Sequence, residues 1–88
     1  MNFRFPAVFR KEDDAYNIIF PDLMGGYTCG FGMQNSIYMA KDLIRTLMIF
    51  NFDDARNSKP STLEKIEKEY PGELVIMINE KIADKYLK

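Results

Sequence analysis

The first residues of the chain alternate between apolar and other positions with the period of a β-strand. Over residues 3–9 every second residue is apolar and falls on one face, namely Phe3, Phe5, Ala7 and Phe9. This alternation predicts a strand. Pro6 has no N–H to donate to a ladder, so we expect an edge position or an amide that faces away from the neighbouring strand.

Two more strands follow in the first third of the chain. Residues 16–20 are rich in β-branched and aromatic side chains and predict a second strand. The polar residues 10–15 read as the hairpin loop that makes it antiparallel to the first. Residues 27–31 predict a third strand, so the three form a meander.

The stretch IIFPDLMGGYT, residues 18–28, joins the second and third strands. Pro21 and Asp22 end an apolar run. Gly25 and Gly26 supply the permissive backbone that a tight turn needs.

The hydrophobic period then changes to that of an amphipathic helix. Apolar residues recur at spacings of three and four, at Met33, Ile37, Ala40, Ile44 and Leu47. They predict a helix over residues 33–50, about 27 Å long at 1.5 Å per residue, which is long enough to cover one face of a small sheet. Met39, Leu43 and Phe50 are expected to widen its apolar face.

The last third predicts a short helix and a fourth strand. After a polar connection over residues 51–58, Ser61 and Glu64 have the spacing of a capping box, and Pro71-Gly72 ends the helix. Residues 74–78 are all apolar, which is typical of a strand that is buried on both faces or internal in a sheet. The tail adds a last helical turn.

The predicted fold class is therefore α+β. A three-stranded antiparallel meander plus a fourth strand carries one long amphipathic helix on one face and one short helix. The 88 residues predict a single domain over residues 1–88. This architecture by itself does not define a function.

Composition and charge exclude several classes of function. The net charge is −1 and the basic residues are scattered, so we expect no direct nucleic-acid binding by this chain alone. No apolar run is long enough to cross a bilayer, so no membrane association is expected. A chain of this size buries only about 60% of its unfolded surface, so self-association would help to stabilise it.

The candidate chemistry is equally limited. The chain has no histidine and one cysteine, Cys29, interpreted as a small buried residue. This removes the commonest general base and zinc ligands. Two-carboxylate chemistry stays open for a set of aspartates that the sequence alone cannot bring together: Asp13, Asp14, Asp22, Asp53 and Asp54. We therefore predict no catalytic residue, no metal site and no cofactor.

The order of these motifs resembles the HicB family of antitoxins. The family shows an aromatic residue with Pro-Ala in the first strand, an acidic loop, Phe-Pro-Asp-Leu-Pro-Gly and then Thr-x-Gly before the helix. The matching positions are Phe5, Pro6, Ala7, Glu12, Asp13, Asp14, Tyr16, Phe20, Pro21, Asp22, Leu23, Gly25, Thr28 and Gly30. Later matches are Pro60, Ser61, Leu63 and the strand over residues 74–78. Departures are Ala15, where glycine is favoured, Met24, where proline is usual, and Phe31-Gly32, where the family often has a helix cap.

The resemblance implies a partial RNase H-like fold and a protein partner. That partner is a HicA-type toxin, an RNase that uses a histidine to cleave mRNA in the cytoplasm, so the histidine-free chain is not the toxin. Residues after Asn79 are too few for the operator-binding module of many relatives. We expect an antitoxin that occludes the toxin without chemistry.

Two candidate sites have plainer interpretations. Glu12, Asp13 and Asp14 would steer a basic toxin, but the residues alone favour a solvated hairpin loop. Asp22 would mimic a metal-binding carboxylate, but a side-chain cap of its own turn is favoured. The methionines are more typical of core filling than of an adaptable binding surface.

An alternative function also remains. The chain would then be an orphan relative that acts through homo-oligomerisation or another protein partner. A strand edge and the aromatic residues Phe31, Phe50 and Phe52 predict a homodimer.

Overall fold

The computed structural model describes residues 1–50 and 53–87. Four strands, three helices and a 3₁₀ turn follow one another in the order β1 (Asn2–Glu12), β2 (Ala15–Ile19), β3 (Tyr27–Phe31), α1 (Gly32–Phe50), α2 (Asp53–Asn57), α3 (Leu63–Glu69), β4 (Leu74–Lys81) and the 3₁₀ turn (Asp84–Tyr86). No helix in the described ranges is long and apolar enough to cross a membrane.

The four strands form one antiparallel sheet in the order β3-β2-β1-β4. The predicted meander and the added fourth strand are confirmed. The predicted loop over residues 10–15 is too long, because β1 stays paired with β2 up to the Glu12–Ala15 pair. The turn itself consists of Asp13 and Asp14, and Asp13 adopts a positive φ of 54°.

Pro6 lies within β1 without costing a ladder hydrogen bond. Met1 and Ile82 exchange backbone hydrogen bonds of 2.7 and 2.9 Å. Because bonding direction alternates along a strand, the odd-numbered residues of β1 bond to β4. The nitrogen of Pro6 therefore faces the β2 side, where pairing begins only at Val8. This confirms the expectation of an amide that faces away from its paired strand.

Helix α1 covers one face of the sheet and forms the main core. Its fully buried positions are spaced four apart, at Ser36, Ala40, Ile44 and Met48. They pack with strand residues such as Phe5, Phe9 and Ile18. The predicted stripe is rotated, since Met33, Ile37 and Leu47 lie at the border of the core. Phe50 is 74% exposed and does not widen the apolar face.

Helix α3 packs on the opposite face of the sheet. Its Ile66 contacts a second, smaller core with Val8 and Val75. The N-cap is Thr62, whose Oγ1 accepts a hydrogen bond from the Lys65 amide at 3.1 Å. The predicted Ser61 capping box is therefore wrong by one residue. The sheet is covered on both faces at β1 and β4.

The predicted polar connection contains α2, whose Ala55 is buried in the main core. Phe52, expected at a dimer interface, lies outside the described residues, as do the side chains of Asp53 and Asp54. The predicted final helical turn is present as the 3₁₀ turn.

Candidate functional site

The three loop acids lie at the tip of the β1–β2 hairpin and are exposed. Glu12 ends β1, and its Oε2 accepts a hydrogen bond from Asn17 Nδ2 at 3.2 Å. The carbonyl of Asp14 accepts from the Gly32 amide at 2.9 Å, which fixes the tip beside the start of α1. The structure thus presents three carboxylates to solvent at a defined corner of the sheet.

The motif Phe20-Pro21-Asp22-Leu23 forms a compact turn between β2 and β3. Phe20 and Leu23 are buried in the main core. The Phe20 amide donates to the Gly26 carbonyl at 2.8 Å, and the Gly26 amide donates to the Leu23 carbonyl at 3.0 Å. Gly25 has a positive φ of 75°, which glycine adopts without strain. The motif therefore holds the sheet corner together.

Asp22 does not cap its own turn. Its two carboxylate oxygens accept hydrogen bonds from the amide and the hydroxyl of Ser61, each at 2.8 Å. The expected Asx turn is replaced by a link between the β2–β3 turn and the segment that leads into α3. Among the side chains that the structure describes, no cluster of metal-ligating groups occurs.

The Thr28-x-Gly30 motif lets α1 approach β3 closely. A Cβ added to Gly30 would lie 2.6 Å from Ser36 Cα, so no larger residue fits without a shift of the helix. Ser36 Oγ is buried and has no hydrogen-bond partner in the described part of the chain. Thr28 is half-buried on the same face.

The outer edge of β3 is rich in hydrogen-bond acceptors. The Phe20–Gly26 and Asp14–Gly32 bonds show that the even-numbered residues of β3 bond to β2. Because bonding direction alternates along a strand, Tyr27, Cys29 and Phe31 direct their backbone groups away from β2. The Tyr27 amide already donates to the Gly25 carbonyl, and the Phe31 amide donates to Asn35 Oδ1, each at 2.9 Å. Because Phe31 precedes α1, its carbonyl accepts the first hydrogen bond of the helix. The Tyr27 and Cys29 carbonyls and the Cys29 amide remain for a partner at this edge.

Side chains on the same strand form an exposed aromatic patch. Tyr27 is 70% and Phe31 is 74% exposed. They lie on the sheet face opposite α1, because Gly30, which lies one residue before Phe31, faces the helix. Cys29 lies with them as an exposed thiol, so its interpretation as a buried residue is wrong.

The acids and the aromatic patch are contiguous, since Phe31 pairs with Ala15 directly beside the hairpin tip. We call this region the acidic–aromatic surface; it consists of Glu12, Asp13, Asp14, Tyr27, Cys29 and Phe31. Tyr27 is a member that the sequence reasoning missed. Its exposure could have been predicted from the alternation of β3. If Gly30 faces the long helix, then Tyr27, Cys29 and Phe31 face away from it.

A second polar region lies in a surface depression between α1 and β4, lined by Tyr38, Lys41, Asp42, Arg45 and Glu80. Arg45 Nε donates to Glu80 Oε2 at 2.8 Å, and its Nη2 donates to the Lys81 carbonyl at 3.1 Å. These hydrogen bonds connect α1 to β4.

Comparison with known proteins identifies relatives of this chain, although no family model matches it. It is 29% identical over 82 residues to Antitoxin HicB 2 of Photorhabdus laumondii, a match that covers 89% of this chain. The match covers 59% of that relative, so the chain spans little more than half of its length.

Solved structures share the fold. A toxin-antitoxin complex from Streptococcus pneumoniae matches with a TM-score of 0.73 and 20% identity, over 100% of this chain and 74% of the other. The antitoxin HicB of Burkholderia pseudomallei matches with a TM-score of 0.66 and 18% identity, over 98% of this chain and 66% of the other. In both sequence and fold, the chain is therefore similar to the HicB-type antitoxins.

Proposed function

We propose that the chain is an antitoxin domain that binds a HicA-type RNase toxin and covers its active site without chemistry of its own. The similarity to a HicB antitoxin supports the class of function. The proposed mode of binding rests on the acidic–aromatic surface. This surface combines negative charge, exposed aromatic rings and free hydrogen-bond acceptors on one side of the sheet.

The chemistry of this surface fits a basic partner. A protein that grips RNA presents arginine and lysine around its active site. Exposed carboxylates attract such a partner over long distances and raise its association rate. Aromatic faces and outward carbonyls then accept cationic and N–H donors at short range. Binding by occlusion therefore needs no catalytic group on this chain.

Two finer statements belong to the same proposal. An antitoxin of an mRNA-cleaving toxin works in the cytoplasm, where its partner finds mRNA. The 88-residue chain acts as the toxin-binding domain.

The first prediction tests the acids. The triple variant Glu12→Lys, Asp13→Lys, Asp14→Lys should slow association with a purified HicA-type toxin by about tenfold or more at low salt, and should weaken the salt dependence. Stopped-flow or surface-plasmon measurements at several salt concentrations give the rates. RNA cleavage by the toxin gives neutralisation.

The matched control moves the same charge change to α3, which covers β1 and β4 at the other end of the sheet. Glu64→Lys, Glu67→Lys, Glu69→Lys lies on the exposed side of α3 and should alter the association rate much less. Equal effects of the two triple variants would show that net charge acts and that the hairpin tip has no special role. If the toxin bound without the charges or the aromatic residues of the acidic–aromatic surface, the proposed role of that surface would be refuted.

One observation favours a second candidate, a domain that acts through self-association. The outer edge of β4 is uncharged over residues 74–79. This edge is separate from the acidic–aromatic surface, so both activities are compatible.

A further inference from the structure

Strand β4 has the composition of an internal strand but lies at the edge of the sheet. Its first five residues are all apolar, and Asn79 follows them before the first charge. Natural edge strands usually carry charges, prolines or bulges that prevent pairing with another chain. Beyond β4, no further strand belongs to the sheet formed by residues 1–50 and 53–87. The strand is thus an unprotected edge.

The outward N–H and C=O groups along this edge are all free to bond. The Met1–Ile82 bonds show that the even-numbered residues of β4 bond to β1. Val75, Met77 and Asn79 therefore direct both their N–H and C=O groups outward. Within the described ranges no other group bonds to them. The edge offers three donors and three acceptors in alternation.

The two edges of the sheet differ in this respect. At β3, two of the three outward amides are already bonded, to Gly25 and Asn35. In a pair of β3 strands, the Tyr27 and Phe31 amides would therefore not be free to donate to the opposite carbonyls. Two copies of β4 bring a donor against each acceptor, so β4 is the self-complementary edge.

We propose that β4 pairs antiparallel with β4 of a second copy of this chain, centred on Met77. The two four-stranded sheets then form one continuous sheet. In this register Met77 faces its own counterpart, and Val75 faces Asn79 of the second copy. The ladder restores the internal environment that the apolar composition of β4 indicates, and it adds buried surface to a small core.

Charge complementarity selects this register among the neighbouring ones. With Met77 at the centre, Glu73 faces Lys81 of the second copy, and the same pair occurs twice by symmetry. A shift of the centre by one residue places Glu73 opposite Asn79, or Lys81 opposite Val75. The register centred on Met77 alone opposes the two unlike charges.

The proposed dimer leaves the acidic–aromatic surfaces accessible. Strand β3 lies at the other edge of each sheet, so the two surfaces occupy the outer ends of the combined sheet. The inference does not depend on toxin binding and is testable with the chain alone.

The second prediction places like charges at the centre of the interface. The chain should be a dimer at high micromolar concentration by light scattering, and Met77→Lys should shift its dissociation constant upward by at least tenfold. The control Met24→Lys makes the same chemical change at a residue that is 84% exposed in the β2–β3 turn, and it should leave the dimer intact. Circular dichroism verifies that both variants fold.

A charge-swap experiment tests the same interface without substituting a core residue. Glu73→Lys should weaken the dimer through two lysine pairs, and adding Lys81→Glu should restore it. This rescue reports the register, because intrachain effects of Glu73, which lies 3.3 Å from Arg10, are the same in both variants. A monomer at all concentrations, a dimer unaffected by Met77→Lys, or a failed rescue would overturn the proposal. Loss of toxin binding with the dimer retained would contradict only the proposed function.

Discussion

At the scale of single residues, Gly30 shows how one position controls the distance between a strand and a helix. The third prediction is that Gly30→Ala lowers the free energy of unfolding by about 1–3 kcal/mol, because the new methyl group meets the backbone of Ser36 and the helix must move. Cys29→Ala, an exposed neighbour, should change it by less than about 0.5 kcal/mol. Urea titrations followed by circular dichroism measure both. Equal midpoints for the two variants would show that α1 adjusts without cost.

At the scale of elements, the bonds between Asp22 and Ser61 join the β2–β3 turn to the start of α3. The fourth prediction is that Asp22→Ala lowers the free energy of unfolding by about 1.5–3 kcal/mol, since hydrogen bonds to a charged group are lost. Ser61→Ala should cost less, and the double variant should cost less than the sum. Toxin neutralisation by Asp22→Asn should stay largely intact. A metal-dependent nuclease activity that disappears in Asp22→Asn would contradict the structural role.

The same elements show how far the sequence predicts the structure. The period of two located β1 and the spacing of three and four located α1, because burial on one face imposes those periods. Apolar and β-branched composition located β2 and β4, and capping and helix-ending residues indicated α3. The rotation of α1 was not predictable, since a buried serine at position 36 breaks the hydrophobic stripe without leaving the core. Asp22 and Ser61 lie 39 residues apart, so no local pattern reports their contact. The exposure of Tyr27 also depends on α3, which covers its face of the sheet only at β1 and β4.

At the scale of the whole molecule, the charge distribution determines which partners are attracted. The fifth prediction is that this chain gives no sequence-specific shift of DNA in electrophoresis, because a net charge of −1 without a basic patch releases few counterions from a duplex. A fluorescence-anisotropy titration at 50 and 200 mM salt is the measurement. Tight binding to one DNA sequence that survives the higher salt would show that a base-reading surface exists.

The pairing of Met1 with Ile82 has a mechanical consequence. The two ends of the described chain leave the sheet side by side, so a force that pulls them apart loads the β1–β4 ladder one hydrogen-bonded pair at a time. Such unzipping resists force far less than shearing, in which all bonds carry the load together. Because β1 lies between β2 and β4, its removal leaves β2–β3 as an isolated hairpin, which is marginally stable in water. A cellular machine that grips either end would therefore dismantle this domain with little resistance.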